Sequence, residues 1–347
     1  MLLFQGEHET HLLVIDSGYG KHHYPVFYET IQCLIETYLD KSPKPQISML
    51  LTHVDADHIT GFKKLFTDGR FREHYSRIAG FYYNTTACMK KAFPDLEKDL
   101  DALSKDERIS TGTATSYGQA VTLERLLSEN KIPVISDLFS GKGFSLCGDV
   151  KFLTLTPTQG GADAYRTWLC TKESTKTAGR TTDYKKSLTT FKGKPFEEDF
   201  SSVNASSVSI LLKAYGCRML FLGDAPPRYV SQALQSLGYS EGKKLEADFV
   251  KLSHHGSRKS ASPELLDLIS GKRFLISGDG SPGHPDKECL ARVIEAQDCP
   301  TFCMNYNISR GIFSSEELKS GKFAIEYGQK WEVQEDGKFT FGCFSPD

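Results

Sequence analysis

What this chain lacks narrows its class first. No apolar run approaches the ~20 residues that a membrane span requires, so no membrane partner is expected. No two cysteines stand at CxxC spacing; the nine are scattered, and the closest, Cys299 and Cys303, flank Pro-Thr-Phe. An odd, dispersed set with no leader segment speaks against a disulfide framework and for a reducing, cytoplasmic setting with core thiols. Net charge is nearly absent, formally −2, which excludes a protein that coats polyanions over its whole surface. At 347 residues with ordinary apolar content, one large α/β domain or two small ones can bury a substantial core.

What is present is concentrated in one stretch. Leu50 to Phe62 reads LLTHVDADHITGF. An apolar run ends at Thr52, and His53, Asp55, Asp57 and His58 then place four potential metal ligands within six residues. Buried polar groups without partners cost several kcal/mol each, and one or two metal ions are an economical partner for such a cluster. On an extended segment His53, Asp55 and Asp57 can project to one side, with His58 opening the next helix and pointing back. The plainer alternative is a polar turn in which Asp57 is only a favourable anion at a helix N-terminus.

Periodicity places this stretch in an α/β order. His11 to Ile15 reads as a strand ending in Asp16-Ser17-Gly18. An amphipathic helix is expected from Pro25 to Asp40, with Pro25 in its first turn. Gln46 to Thr52 is a buried strand with the His/Asp cluster at its C-terminal end, where α/β folds place their chemistry. Residues 62 to 78 look helical, and Gly80 to Tyr83, Ile132 to Ile135, Gly143 to Cys147 and Val150 to Leu155 look like strands. Val208 to Ala214 and Arg218 to Leu222 form a hairpin around Tyr215-Gly216. Asp248 to Leu252 and Phe274 to Ser277 are further strands, with helices expected at Ser262 to Ile269 and Lys287 to Ala296. Several short strands are expected from Pro300 on.

Five of these strand-like runs end in potential ligands: Asp16, the His53 to His58 cluster, Asp224, His254-His255 and His284. A lone Asp after a strand is ordinarily a turn residue. Five such ends in one chain supply enough ligands for a two-metal site with a bridging carboxylate. A second feature is the composition of 158–200, where Arg166, Lys172, Lys176, Arg180, Lys185, Lys186, Lys192 and Lys194 are interleaved with Tyr165, Trp168, Tyr184 and Phe191. It reads either as a solvated loop or as a basic flap that receives a phosphate-bearing ligand.

The run His53-x-Asp55-x-Asp57-His58 resembles the signature of the metallo-β-lactamase fold, with Asp55 in place of the usual second His. That variant looks like the hydrolase domain of ComEC-type DNA-uptake proteins. So do Asn204-x-x-Ser207-Val208, Phe221-Leu222-Gly223-Asp224, DFVKLSHHGS at 248–257 and Gly283-His284-Pro285, in the same order. The resemblance covers 11–60 and 203–295 well and 130–157 loosely. It implies one α/β domain over 1–347, a four-layer αββα sandwich with the site at one edge between two sheets. The segments 85–127 (helical) and 158–200 (basic, polar) read as insertions, and 300–347 as a strand-rich extension. The apolar strand that usually precedes the one at His11 is degenerate or missing.

The resemblance further implies two divalent ions, Zn²⁺ or Mn²⁺ with Mg²⁺ as a further candidate. His53 and Asp55 would hold the first, Asp57 and His58 the second, and Asp224 would bridge. His254 would complete the second site and His255 contact substrate or leaving group, or the two exchange roles. Asn204 would touch the first metal or the substrate, His284 would back the ligands or contact substrate, and Asp16 would orient the cluster. Asp55 makes the first site harder and more anionic, which favours Mn²⁺ or Mg²⁺ relative to an all-His site. The expected chemistry is attack by a metal-bridging hydroxide on DNA or RNA, with the basic run, Lys251, Arg258 and Lys259 offsetting the anionic charge. Alternatives are hydrolysis of a lactone, thioester or phosphocholine ester, or a non-catalytic, metal-holding subunit with a protein partner in a defence or DNA-processing complex.

Overall fold

The structure, a computed structural model, describes residues 1–5, 9–19, 23–39, 46–92, 116–163, 182–198, 203–278, 280, 283–327, 331–335 and 337–341. Its first half contains β1 (Leu2–Gln5), β2 (Thr10–Ile15), α1 (Tyr24–Leu34), β3 (Gln46–Leu50), α2 (Ala56–Thr67), β4 (Ile78–Tyr82), α3 (Thr86–Ala92), α4 (Ser116–Glu129), β5 (Val134–Ile135), β6 (Gly143–Cys147) and β7 (Val150–Thr156). The second half adds β8 (Ser209–Ala214), β9 (Cys217–Phe221), α5 (Pro227–Ser236), β10 (Leu245–Lys251), α6 (Pro263–Asp267), β11 (Ile269–Ile276), α7 (Lys287–Ala296), β12 (Thr301–Met304), β13 (Ala324–Tyr327), β14 (Trp331–Glu335) and β15 (Gly337–Phe341).

The strands form two sheets. One has the order β14-β15-β1-β2-β3-β4-β5, the other β13-β12-β11-β10-β9-β8-β7-β6. In the first, β2 to β5 run parallel; in the second, β9 to β13 do. Parallel strands must be covered on both faces, which explains why β3 is buried from Ile47 to Leu50.

Three apolar clusters define the layers. Leu2, Phe4, Leu13, Leu50 and Tyr82 of the first sheet meet Val150, Phe152, Ile210, Leu212, Met219, Phe249 and Leu275 of the second. On the outer face of the first sheet, Leu12, Val14, Ile47, Met49 and Phe81 pack against Phe27 and Ile31 of α1, Ile59, Phe62 and Leu65 of α2, and Leu123 and Leu127 of α4. On the outer face of the second, Leu220, Val250, Phe274 and Phe302 pack against Val230 and Leu234 of α5, Leu265 of α6, and Leu290 and Val293 of α7. Helices, sheet, sheet, helices: this is the αββα sandwich that the metallo-β-lactamase resemblance implied.

Several local expectations are corrected. A strand does precede the one at His11: β1 pairs antiparallel with β2, through Leu3 opposite Leu12. Its apolar run, Leu2–Phe4, is too short to stand out as a pattern. The helix expected over 62–78 begins earlier, at Ala56, and ends at Thr67, and Gly69–Arg77 is 3₁₀. Asp55 holds an extended conformation at the helix boundary, so Asp57 and His58 form the first turn instead of continuing a loop. The residues after Pro300 split between both sheets, β12 and β13 entering one and β14 and β15 the other.

Of 85–127, residues 93–115 lie outside the described residues, as do Tyr165, Arg166, Trp168, Lys172, Lys176 and Arg180 of the basic run. The described part of that run, 182–198, is docked on α7. The Asp183 carboxylate accepts from the backbone N–H of Lys287 and of Glu288, at 2.8 and 2.9 Å. Lys194 pairs with Glu288, while Lys185, Lys186 and Lys192 are exposed. No helix among the described residues is long and apolar enough to cross a membrane.

Candidate metal centre

Parallel strands of both sheets deliver the polar residues to one edge. Asp16 follows β2, Thr52 to His58 follow β3, Asp224 follows β9, His254 and His255 follow β10, and Ser277 and His284 follow β11. Two close approaches hold these ends together, and both require glycine. A Cβ on Gly61 of α2 would stand 2.3 Å from the Ser17 carbonyl oxygen. One on Gly223, whose φ is +53°, would stand 2.4 Å from Ser207 Oγ. That Ser207 Oγ accepts from the Asp224 N–H at 2.9 Å, which fixes the turn carrying the carboxylate.

The first layer of bonds sets the tautomers of the imidazoles. Thr52 donates its N–H to Asp16 Oδ1 and its hydroxyl to Asp16 Oδ2, both at 2.8 Å. The Thr52 proton is thereby committed, so His53 Nδ1, 3.0 Å from the same Oγ1, is the donor there. His58 Nδ1 lies 2.7 Å from Asp16 Oδ2 and donates to it. His255 Nδ1 faces the Ser277 carbonyl oxygen, an acceptor only. These contacts hold Nδ1 of each ring, and Nε2 of His53, His58 and His255 is the nitrogen that faces the cleft. Asp16 and Thr52 thus do for His53 and His58 what carboxylates and hydroxyls do behind metal-ligating histidines generally.

Asp224 is the hub. Its Oδ2 lies 4.0 Å from His53 Nε2, 3.5 Å from His58 Nε2 and 3.9 Å from His254 Nε2. Around it, His53, His58 and Asp224 form one group whose ligand atoms all lie within 4.8 Å of one another. Asp57, His58 and His255 form a second. Asp57 Oδ2 stands 3.3 Å from His255 Nε2 and 3.7 Å from His58 Nε2, and Asp55 Oδ2 stands 3.6 Å from His53 Nε2. The structure therefore brings all six residues expected as ligands, and His255, to one cleft. It is His255, not His254, that closes on Asp57 and His58. His254 turns towards Asn204, whose Nδ2 is 3.4 Å from His254 Nδ1, and packs against His284 with ring centroids 5.1 Å apart and the planes tilted by 54°. His284 Nδ1 lies 3.3 Å from Asp286 Oδ2. Lys251 reaches back to the Gly223 carbonyl oxygen, 3.4 Å away.

The fit to a metal can be tested on atoms alone. His53 Nε2, His58 Nε2 and Asp224 Oδ1 are buried and have no hydrogen-bond partner. Orphaned buried polar atoms are uncommon and point to an absent ion or water. The electrostatics agree. Burial opposes charge on His58, yet Asp224 and Asp16 push its pKa well above the usual imidazole range. Burial opposes charge on Asp57 as well, but the His255 hydrogen bond and His58 hold its carboxyl far below the usual range. Burial likewise works against Asp224, and His58 and His254 pull it well down. The cleft stabilises positive charge at its centre, and its N and O donor set suits Zn²⁺ or Mn²⁺.

The backbone is bent to reach this arrangement. Asp16, His254 and His255 have φ of 55°, 45° and 53°. Left-handed backbone costs a residue with a Cβ about 1–2 kcal/mol, and persists where the surroundings enforce it, commonly at functional sites. Sequence reasoning missed Thr52, Ser277 and Asp286. Only Asp286 carried a signal, its place two residues after His284.

No family model matches this chain, and no curated protein matches it. Among solved structures it is similar to Zn²⁺-bound PqqB from Methylobacterium extorquens, at 11% identity over 94% of this chain and 84% of that one, with a TM-score of 0.38. It is also similar to a mutant of the CmlA β-hydroxylase, at 12% identity over 84% of this chain, with a TM-score of 0.33. The match spans 44% of the CmlA chain. The αββα assignment rests on the layers themselves.

Proposed function

We propose that this chain is a dinuclear metallohydrolase of the metallo-β-lactamase class, and that its substrate is a phosphodiester, DNA or RNA. One observation carries the metal: three imidazole Nε2 atoms within 4.0 Å of Asp224 Oδ2, two of them buried without a hydrogen-bond partner. His53 and Asp55 would hold one ion, Asp57, His58 and His255 the other, with Asp224 between. When bound, such ions supply Lewis acidity and a nucleophile at neutral pH.

The chain's own residues do the rest. Asp16 and Thr52 anchor Nδ1 of His58 and His53 and so aim each Nε2 into the cleft. The Ser277 carbonyl does the same for His255. Asp57, held ionised, draws a cation to the exposed side of the cleft, since it is half open while Asp224 is buried. Lys185 and Lys186 support the phosphodiester reading. Both are exposed and follow Tyr184, whose hydroxyl would stand 3.9 Å from a Cβ added at Gly280, in the loop between Ser277 and His284. Exposed cations on a segment that reaches this loop favour a polyanionic substrate over a neutral ester.

The test is cleavage of end-labelled single- and double-stranded DNA and RNA in Mn²⁺, Mg²⁺ or Zn²⁺, with Asp57→Ala as the blank. Cleavage by the parent chain alone is the expected result. A metal-loaded chain that cuts no nucleic acid and no model phosphodiester, yet opens a lactone or thioester, would overturn the substrate assignment and leave the metal site standing.

A further inference from the structure

A dinuclear site on these residues is short of one donor. His53 and Asp55 are two ligands for the first ion, against Asp57, His58 and His255 for the second, and Asp224 is shared. His254 reaches the shared carboxylate from the Asn204 side. Its Nε2 is 3.9 Å from Asp224 Oδ2, and its Nδ1 is 3.4 Å from Asn204 Nδ2. His255, the next residue, is committed elsewhere, with Nε2 3.3 Å from Asp57 and Nδ1 on Ser277.

Two neighbouring side chains diverge in this way because of their backbone. Successive left-handed residues place the two rings 6.3 Å apart at 67°. The loop is held in that shape from below. Gly256, at φ +80°, leaves room for Pro285, to which a Cβ would come within 2.9 Å. The Asp286 N–H donates to the Gly256 carbonyl at 2.9 Å.

We infer that His254 and His255 serve different ions of the pair, and that Asn204 is the positioning residue that turns His254 onto the ion held by His53 and Asp55. The inference rests on the dinuclear reading above. The carboxamide is suited to this task because it is two-faced. Its Nδ2 donates to a bare Nδ1, and its Oδ1, after the amide turns over, accepts from a protonated one. When Nε2 of His254 binds a metal, its proton must sit on Nδ1, and Asn204 Oδ1 is the acceptor for it. The first site thus gains a third ligand of its own from the end of β10. Asn204 acts through His254 and not as a ligand.

Calorimetric titration of the metal-stripped full chain with Zn²⁺ or Mn²⁺ tests this, using H254A, H255A, N204A and N204D. The parent chain is expected to bind two ions. N204A should weaken one of them about 10–100-fold, the cost typical of losing the group behind a metal-binding His. N204D, which keeps an acceptor, should retain it. The loss in N204A should not add to that in H254A but should add to that in H255A. Long-range nitrogen–proton correlation NMR of the zinc-loaded parent should show the His254 proton on Nδ1, a readout that stands even if N204A fails to fold. Two tight ions in N204A, additive losses with H254A, or a His254 proton on Nε2 would overturn the inference alone. A parent chain that binds no ions, or only one, would overturn the dinuclear reading with it.

Discussion

Thr52 illustrates how little side chain is needed to direct two imidazoles. One hydroxyl donates to Asp16 and accepts from His53, and the Asp16 carboxylate so placed accepts from His58. Thr52→Val keeps shape and volume but removes both bonds. Metal affinity should fall about 10–100-fold while the fold persists, which titration calorimetry and circular dichroism would show together. Asp57→Ala, which removes a proposed ligand outright, should abolish the proposed hydrolysis in any metal, as a steady-state assay would register. At this scale the convergence of His53, Asp55, Asp57, His58 and Asp224 on one cleft was legible, because His and Asp crowded at strand ends have few structural uses. Thr52 was not, because a Thr ending a strand is ordinary and its partner Asp16 lies far back in the chain. The divergence of the His254 and His255 rings was not legible either. It depends on two positive φ angles that the side chains do not encode.

Two contacts between elements make predictions of their own. Gly61 lets α2 lie directly on the turn after β2, where Ser17 Oγ donates to the His58 carbonyl and accepts from the Phe62 N–H. Gly61→Ala would drive a methyl into the Ser17 backbone. Overpacking of this kind costs about 1–3 kcal/mol, and urea unfolding should show it, with metal affinity reduced because His58 rides on the displaced turn. The second contact is Asp183 at the N-terminal turn of α7. Asp183→Ala removes the acceptor of two backbone N–H groups and should cost about 1–2 kcal/mol. It should also speed limited proteolysis around 182–198, since that carboxylate ties the segment down. The strand and helix order was legible from periodicity, with errors at boundaries. The shift of α2 to Ala56 has a local cause: the ligand run, read as loop, is regular enough to form a helical turn. The docking of 182–198 was not legible, because its anchors Asp183 and Lys194 find their partners about a hundred residues away.

For the molecule as a whole, the αββα layering followed from the family resemblance. Sheet membership of the C-terminal strands did not, since strand propensity says nothing of which edge a strand joins. A prediction at this scale concerns the core between the sheets, where fully buried His11 bonds through Nε2 to Ser48 Oγ at 3.0 Å. Burial pushes its pKa from 6.5 down to about 4. The folded state therefore disfavours the proton that the unfolded chain takes up. The contribution is fully present above about pH 6.5 and is lost as pH falls towards about 4, which amounts to roughly 2–3 kcal/mol. Denaturant unfolding at pH 7 and pH 4.5 should show a larger loss for the parent chain than for His11→Gln.

The pairing of β1 with β15 carries a consequence for biosynthesis. Leu2 to Gln5 hydrogen-bond to Lys338 to Phe341, so the strand made first waits for one made more than three hundred residues later. Until residue 341 clears the ribosomal tunnel, β1 presents an open edge with apolar side chains. The first sheet can close only after synthesis has passed that point, and a nascent chain stalled short of it offers a natural docking site to a chaperone.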